Sequence, residues 1–217
     1  PWDLASRVAS VDRLSGGRVT LGVGLGALHG NWLAFEADEG RAVRARKLDE
    51  VLDVYAGLMG GQPFSYTGEY FSASPVTELV PPPPVQTPHP PVWCVGLMVP
   101  GRSRQRSLER AARWQGVFPA IAGGSLENPG SQLTPPALRE LVERLGALRA
   151  EAGQTMQGYD VVVEGDSHGE FGTVHPPVEQ WADAGATWWV ESWWDLPDSP
   201  EGRAELRRRL ELGPPRT

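Results

Sequence analysis

Residues 14–26 read LSGGRVTLGVGLG. The stretch predicts the end of a helix, a glycine stop, and a strand that finishes on glycines. Side chains alternate across a strand, so Val19, Leu21, Val23 and Leu25 point to one side and Thr20, Gly22 and Gly24 to the other. In an open half-buried sheet the second side would carry bulky polar residues. Here it is nearly bare. Such a face either leaves room for a flat group to approach the backbone, or relieves crowding at a tight barrel corner. Both readings suit a parallel barrel strand with helices on its outer face.

Upstream, Leu4, Val8, Val11 and Leu14 recur at helical spacing, and Gly16-Gly17 supply the stop. A domain that begins on a helix feeding a buried parallel strand lacks the strand before that helix. Downstream comes a polar and aromatic loop over 27–40, then a long helix over 41–59. That helix has an apolar stripe of Val43, Leu48, Val51, Leu52, Tyr55, Leu58 and Met59. Arg41, Arg44, Arg46 and Lys47 face Asp49, Glu50 and Asp53, which reads as a solvated charged face. FSYTGEYFSAS, within 60–77, carries a hairpin signal around Thr67-Gly68. Seven prolines between positions 81 and 91 predict an extended, polyproline-like segment.

The helix–strand rhythm then resumes. A strand is expected over 92–95, followed by Gly96, a loop to Arg102, and a helix over 104–114 capped by Ser103. A short strand over 117–118 ends in Pro119. Thr134-Pro135 open the next helix. Strands over 159–164 and 186–191 flank a short helix over 178–184, and Ser199-Pro200 open the last helix. Strands separated by helices imply a parallel sheet with right-handed crossovers. The expected fold is therefore α/β, of the TIM-barrel (β/α)8 type. It is truncated at the N-terminus, with about five of eight strand–helix units present. The domain expectation is a single partial barrel over 1–217, with a hairpin and proline-rich excursion at about 60–91.

A net charge of −7 argues against a nucleic-acid binder that works by neutralising phosphates. The single cysteine, Cys94, excludes an internal disulfide and suits a reducing, cytoplasmic location. No apolar run approaches the ~20 residues of a membrane span, and no signal peptide is recognisable. The first residue is Pro1 rather than Met, so the expectation is a processed chain or a missing upstream segment.

In a barrel of this kind the working residues lie at the C-terminal ends of strands and in the loops that follow. The loop GRSRQR, residues 101–106, is the sharpest local signal. Arginine in a helix's first turn opposes the helix dipole, at roughly 0.3–1 kcal/mol each, and a bound anion reverses the sign. Backbone N–H groups at the helix start, Ser103 and one or more of Arg102, Arg104 and Arg106 would make a phosphate cradle; the alternative is a solvated loop whose arginines turn away. His29 is a candidate proton donor at the rim, or simply an exposed histidine. Glu164 and Glu191 each end a strand and are candidates for acid–base work or for pairing with arginine. Trp188, Trp189, Trp193 and Trp194 are candidates to cover a flat ring, but at strand spacing at most two of them would line a site. No metal-ligand spacing is present. GVGLG lacks the third glycine of the dinucleotide fingerprint.

The blocks DLASRVASVDRLSGGRVTLGVGLG, RARKLDEVL, QPFSYTGEYF, PPVWCVG and ERAARWQGVFP occur in that order. Together they resemble the luciferase-like monooxygenase family of flavin- or deazaflavin-dependent oxidoreductases, over roughly residues 1–195. The resemblance makes the glycine-ended strand the fourth of the barrel and leaves the first three without a counterpart. It implies FMN or coenzyme F420 lying over the strand ends, with its phosphate near the helix after the fifth strand. By the same likeness Leu25, Gly26 and Asn31 would lie near the ring or chain, and Gly96 and Leu97 near the phosphate-bearing tail. Deazaflavin-dependent sugar-phosphate dehydrogenases of this family carry a glutamate where this chain has Ala27, which puts that reaction in doubt.

The implied function is hydride transfer or monooxygenation of a small organic substrate. The alternative is a non-catalytic remnant or accessory chain that binds cofactor weakly or only with a partner. A weaker alternative is a phosphosugar-binding barrel of another family. An open five-strand sheet exposes two unpaired edges and an apolar face, so a homo-oligomer or a partner chain is expected to cover them. No nucleic-acid or membrane partner is expected.

Overall fold

The computed structural model describes residues 1–26, 34, 37–61, 63–76, 82–123, 133–167, 176–192 and 196–214. The chain divides into two compact units, Pro1–Cys94 and Val95–Thr217. The boundary falls inside a strand that runs from Val92 to Met98.

The first unit contains α1 (Trp2–Ser15), β1 (Leu21–Val23), α2 (Arg41–Met59), and a hairpin of β2 (Phe64–Thr67) and β3 (Ser72–Val76). It ends with the first half of β4 (Val92–Met98). Helix α1 stops at Gly16, which takes the left-handed conformation at φ 68°, and the Gly17 N–H donates to Asp12 O at 2.9 Å. Its buried stripe is Ala5, Val8, Ala9 and Asp12. The expected inward residues Val11 and Leu14 are instead 51% and 87% exposed. The stripe is rotated because Asp12 is fully buried and serves the proline-rich segment. Its carboxylate accepts the N–H groups of Val85 (2.7 Å) and Gln86 (3.0 Å) and the Gln86 side-chain amide (2.8 Å). Burial raises the Asp12 carboxyl, but the hydrogen bonds from Gln86 and Val85 outweigh it and hold it below the ordinary value.

The charged face of α2 is not merely solvated. Arg44 and Lys47 pair with Asp38 and Glu39, and Arg46 lies 3.1 Å from Glu69. Glu50 accepts the N–H groups of Glu69, Tyr70 and Phe71 at 2.7–2.9 Å, which ties the hairpin turn to α2. Gly68 permits this approach, since a Cβ there would sit 2.4 Å from Glu50 Oε2. Strand β1 runs parallel to β4 with Gly22 opposite Trp93.

The second unit continues from β4 into α3 (Arg106–Ala112), β5 (Gly116–Ile121), α4 (Pro135–Glu151), β6 (Asp160–Gly165), α5 (Val178–Asp183), β7 (Trp188–Glu191) and α6 (Pro200–Leu212). The main sheet is ordered β1-β4-β5-β6-β7. Strand β5 is parallel to β6, and β6 to β7. This is the expected α/β architecture, five strand–helix units of an eight-unit barrel type. Thr134 and Ser199 cap their helices as expected, accepting the N–H groups of Ala137 (3.4 Å) and Gly202 (3.1 Å). Leu138, Leu141 and Leu145 of α4 are fully buried, and so are Leu108 of α3 and Val117 of β5. Strand boundaries differ from expectation: β1 covers only Leu21–Val23, β4 extends three residues past Val95, β5 runs through Pro119 to Ile121, and β7 begins at Trp188.

Candidate functional site

In the first unit, the two sides of β1 separate as the alternation requires. Leu21 and Val23 are half-buried, whereas Gly22 and Gly24 are exposed. Register places Gly22 on the same face as Trp93, so one side of this strand presents bare backbone beside an indole. Leu25 is half-buried and Gly26 is exposed, with φ at +76°, a left-handed value that suits glycine. His29 and Asn31 lie outside the described residues.

In the second unit, the loop after β4 is organised by a residue the sequence reading passed over. Gln105 is only 6% exposed. Its Oε1 accepts the Val99 N–H at 3.0 Å, while its Nε2 donates to Val99 O and Arg102 O, each at 2.8 Å. Arg144 also donates to Arg102 O, at 3.3 Å. With its backbone satisfied from inside, the loop turns the side chains of Arg102, Ser103 and Arg104 to solvent. Arg104 Nε lies 3.5 Å from Glu109.

The expected helix cap at Ser103 is not formed. Helix α3 begins at Arg106 behind Gln105, with no side-chain cap, so Arg102 and Arg104 precede its first turn and the dipole argument does not apply to them. The loop competes successfully for Gln105, which spans both sides of the turn.

Gly96 and Leu97 lie within β4, not after it, because β4 continues to Met98. A side chain at Gly96 would point into Val117, Leu108 and Ala111, at 2.5, 3.1 and 3.6 Å. This residue therefore allows β5 and α3 to close on β4. Alternation then places Val95 and Leu97 on the opposite face. Ser107 links α3 to this strand: its Oγ accepts the Leu97 N–H and donates to Val95 O, both at 3.0 Å.

The two strand-ending glutamates part company. Val161 is in register with Val117 on the helix side, so Val163 and Gly165 share that side while Val162 and Glu164 face the other. Glu164 is exposed and pairs in register with Val190. Glu191 pairs with Gly165 and lies on the helix side. There it accepts the Ser167 N–H and the Trp189 Nε1–H, each at 2.7 Å. The tryptophans divide the same way. Trp189 packs 6.4 Å from the Trp181 ring of α5, and Trp188 is 52% exposed with its Nε1–H on Asp160 at 2.8 Å. Trp193 and Trp194 lie outside the described residues.

Among the described residues no group of three His, Cys, Asp or Glu side chains is placed to hold a metal, and no helix is long and apolar enough to cross a membrane.

Comparison with known proteins agrees with this architecture. An uncharacterized protein of Mycobacterium tuberculosis is 30% identical over 155 residues, covering 71% of this chain and 46% of the relative. The chain thus spans about half the length of the curated relatives it matches. An F420-dependent secondary alcohol dehydrogenase, solved with an F420-acetone adduct, superposes with a TM-score of 0.59 at 16% identity, over 98% of this chain and 67% of its own. The oxygenating constituent of 3,6-diketocamphane monooxygenase from Pseudomonas putida, solved with FMN, gives 0.56 at 19% identity, over 76% and 44%. At these identities the likeness concerns the fold. The model for luciferase-like monooxygenases matches residues 1–168, and the chain belongs to that family.

Proposed function

We propose that this chain forms part of a flavin- or F420-dependent oxidoreductase of the luciferase-like class, acting by hydride transfer or monooxygenation on a small organic substrate. The observation that carries the reading is the loop after β4. Its backbone is held from within by Gln105, so the exposed Arg102, Ser103 and Arg104 side chains are not needed to build it. That donor set fits the anionic arm of FMN or F420. Taken by itself, the bare Gly22 face of β1 beside Trp93 in the first unit leaves room for a flat group, and Leu25 and Gly26 follow it directly.

Bound FMN or F420 would supply hydride or oxygen chemistry, and the protein would supply position and electrostatics. Glu164, exposed near the end of β6, is the candidate to hold or move a proton; Glu191 accepts two hydrogen bonds on the helix side. His29 and Asn31 remain candidates on sequence grounds.

The test is a fluorescence titration of the purified chain with FMN and, separately, with oxidised F420. Saturable binding to one of them, weakened at least tenfold by the double substitution Arg102→Ala/Arg104→Ala, supports the reading. A folded chain that binds neither overturns it.

A further inference from the structure

The geometry points to Arg209 as a positioning residue that holds together the ends of β6 and β7, from which the candidate rim segments leave. This deepens the proposed function and rests on it only for what the rim binds. Arg209 lies beyond the residues that match the family, near the end of α6, and is 2% exposed. Its Nη1 donates to Asp166, the residue directly after β6, and lies 3.8 Å from Glu191, the last residue of β7. Its Nε donates to Glu205, one turn earlier in α6, at 2.6 Å.

One of these carboxylates then reaches the backbone, beside a main-chain bond between the two strand ends. Glu191 accepts the Ser167 N–H at 2.7 Å, and the Ser192 N–H donates to Gly165 O at 2.9 Å. One guanidinium therefore fixes the direction in which the chain leaves both strands, just before His168 and before Trp193-Trp194 in the sequence.

A core position has no need of such a group. Replacing a buried ion pair with apolar side chains is often neutral for stability, whereas a planar fork with fixed donors imposes one geometry on its acceptors. The arrangement suits placement of the two strand ends better than general stabilisation.

The test compares the parent chain with Arg209→Met and Arg209→Lys by amide hydrogen exchange and by titration with FMN and with oxidised F420. In a folded Arg209→Met chain, protection at Ser167 and Ser192 is expected to fall at least tenfold while Leu141 and Leu145 of α4 keep parent values. Arg209→Lys, which keeps the charge without the fork, should recover part of the loss; if the methionine variant does not fold, the lysine variant carries the same comparison. Parent-like protection at Ser167 and Ser192 overturns the inference. So does a uniform loss that includes α4, which would make Arg209 a general core residue.

Where the parent binds a cofactor, the variant should bind it at least tenfold more weakly; equal binding with lost protection overturns the link to ligand placement. A parent that binds neither cofactor overturns the proposed function, and the exchange data still decide the clamp.

Discussion

Gly96→Ala separates a packing role from a ligand role at a position where the family resemblance implies the second and the geometry supports the first. The added methyl would lie 2.5 Å from Val117 Cγ2, about 0.9 Å inside the 3.4 Å edge of ordinary contact. It would also lie 3.1 Å from Leu108 Cδ2. Val117, Leu108 and Ala111 are all 0% exposed, so none can swing into solvent. Burying the methyl gains about 0.8 kcal/mol, and removing a glycine from a strand gains roughly 0.5–1 kcal/mol. Overpacking costs about 1–3 kcal/mol, and a clash this deep against a strand valine belongs at the upper end. The net loss is about 1–2 kcal/mol, or roughly 2–8 °C in thermal midpoint at this chain length.

The assay is thermal unfolding of Gly96→Ala, Val117→Ala and the double variant. Trimming Val117 makes room for the methyl, so the double variant should be more stable than the two single losses added together, by about 1 kcal/mol. A Gly96→Ala chain as stable as the parent, or strictly additive losses, would refute the packing argument. Loss of cofactor binding by more than tenfold at an unchanged midpoint would return Gly96 to the ligand.

Three further outcomes follow from the first unit and from α6. Asp12→Ala strips an acceptor from two backbone N–H groups and the Gln86 amide, and should cost about 2–4 kcal/mol in a denaturant melt; a loss below about 0.5 kcal/mol would show that water replaces the carboxylate. Gly68→Ala drives a methyl against Glu50 and Tyr66, so amide exchange at Glu69, Tyr70 and Phe71 should speed at least tenfold while α4 is unaffected. Unchanged exchange would mean that Glu50 yields at no cost. Hydrogen bonds from Arg208 and Arg209 pull the Glu205 carboxyl from 4.5 down to about 2, and the Asp12 and Glu50 carboxyls are also lowered. The stability these groups contribute is complete above their ordinary values and is lost as pH falls below them, for Glu205 from 4.5 towards about 2. The urea midpoint should therefore be flat above about pH 5 and fall steadily below it, and Glu205→Gln should reduce the slope. Equal midpoints at pH 6 and pH 3 would contradict this.

The elements were legible because each carries a local cause. The five sheet strands announce themselves as apolar runs between helices, and the pairs Thr134-Pro135 and Ser199-Pro200 mark helix starts by cap chemistry that spans only three residues. The alternation over 19–25 displays the two faces of β1 in the sequence itself. What stayed hidden is polar satisfaction at a distance. Asp12 serves backbone groups 73 and 74 residues away, and Glu50 serves a turn about 20 residues away. Gln105, set among arginines, looks like part of a solvated stretch. Periodicity records which side of a helix is apolar, and it rotated α1 wrongly because a buried carboxylate outranked Val11 and Leu14. Buried N–H groups must find acceptors, and that demand arises only once the chain has folded.

The same limit explains the two glutamates. In sequence VVVE and WWVE look equivalent, each a strand closing on a carboxylate at the rim. Register decides between them. Glu164 stands opposite Val190 and Glu191 opposite Gly165, so the two carboxylates are offset by one residue along paired strands. A one-residue offset reverses the face of a side chain. Glu164 therefore keeps to the side away from Trp189 and α5, with Trp188 and Val190. Glu191 turns towards Arg209, Ser167 and Trp189, where moving a proton would mean giving up bonds that fix the strand end. Equal residues at equal places in two strands thus take unequal work. The offset ties Glu191 to the strand end that it fixes and sets Glu164 on the other face, exposed.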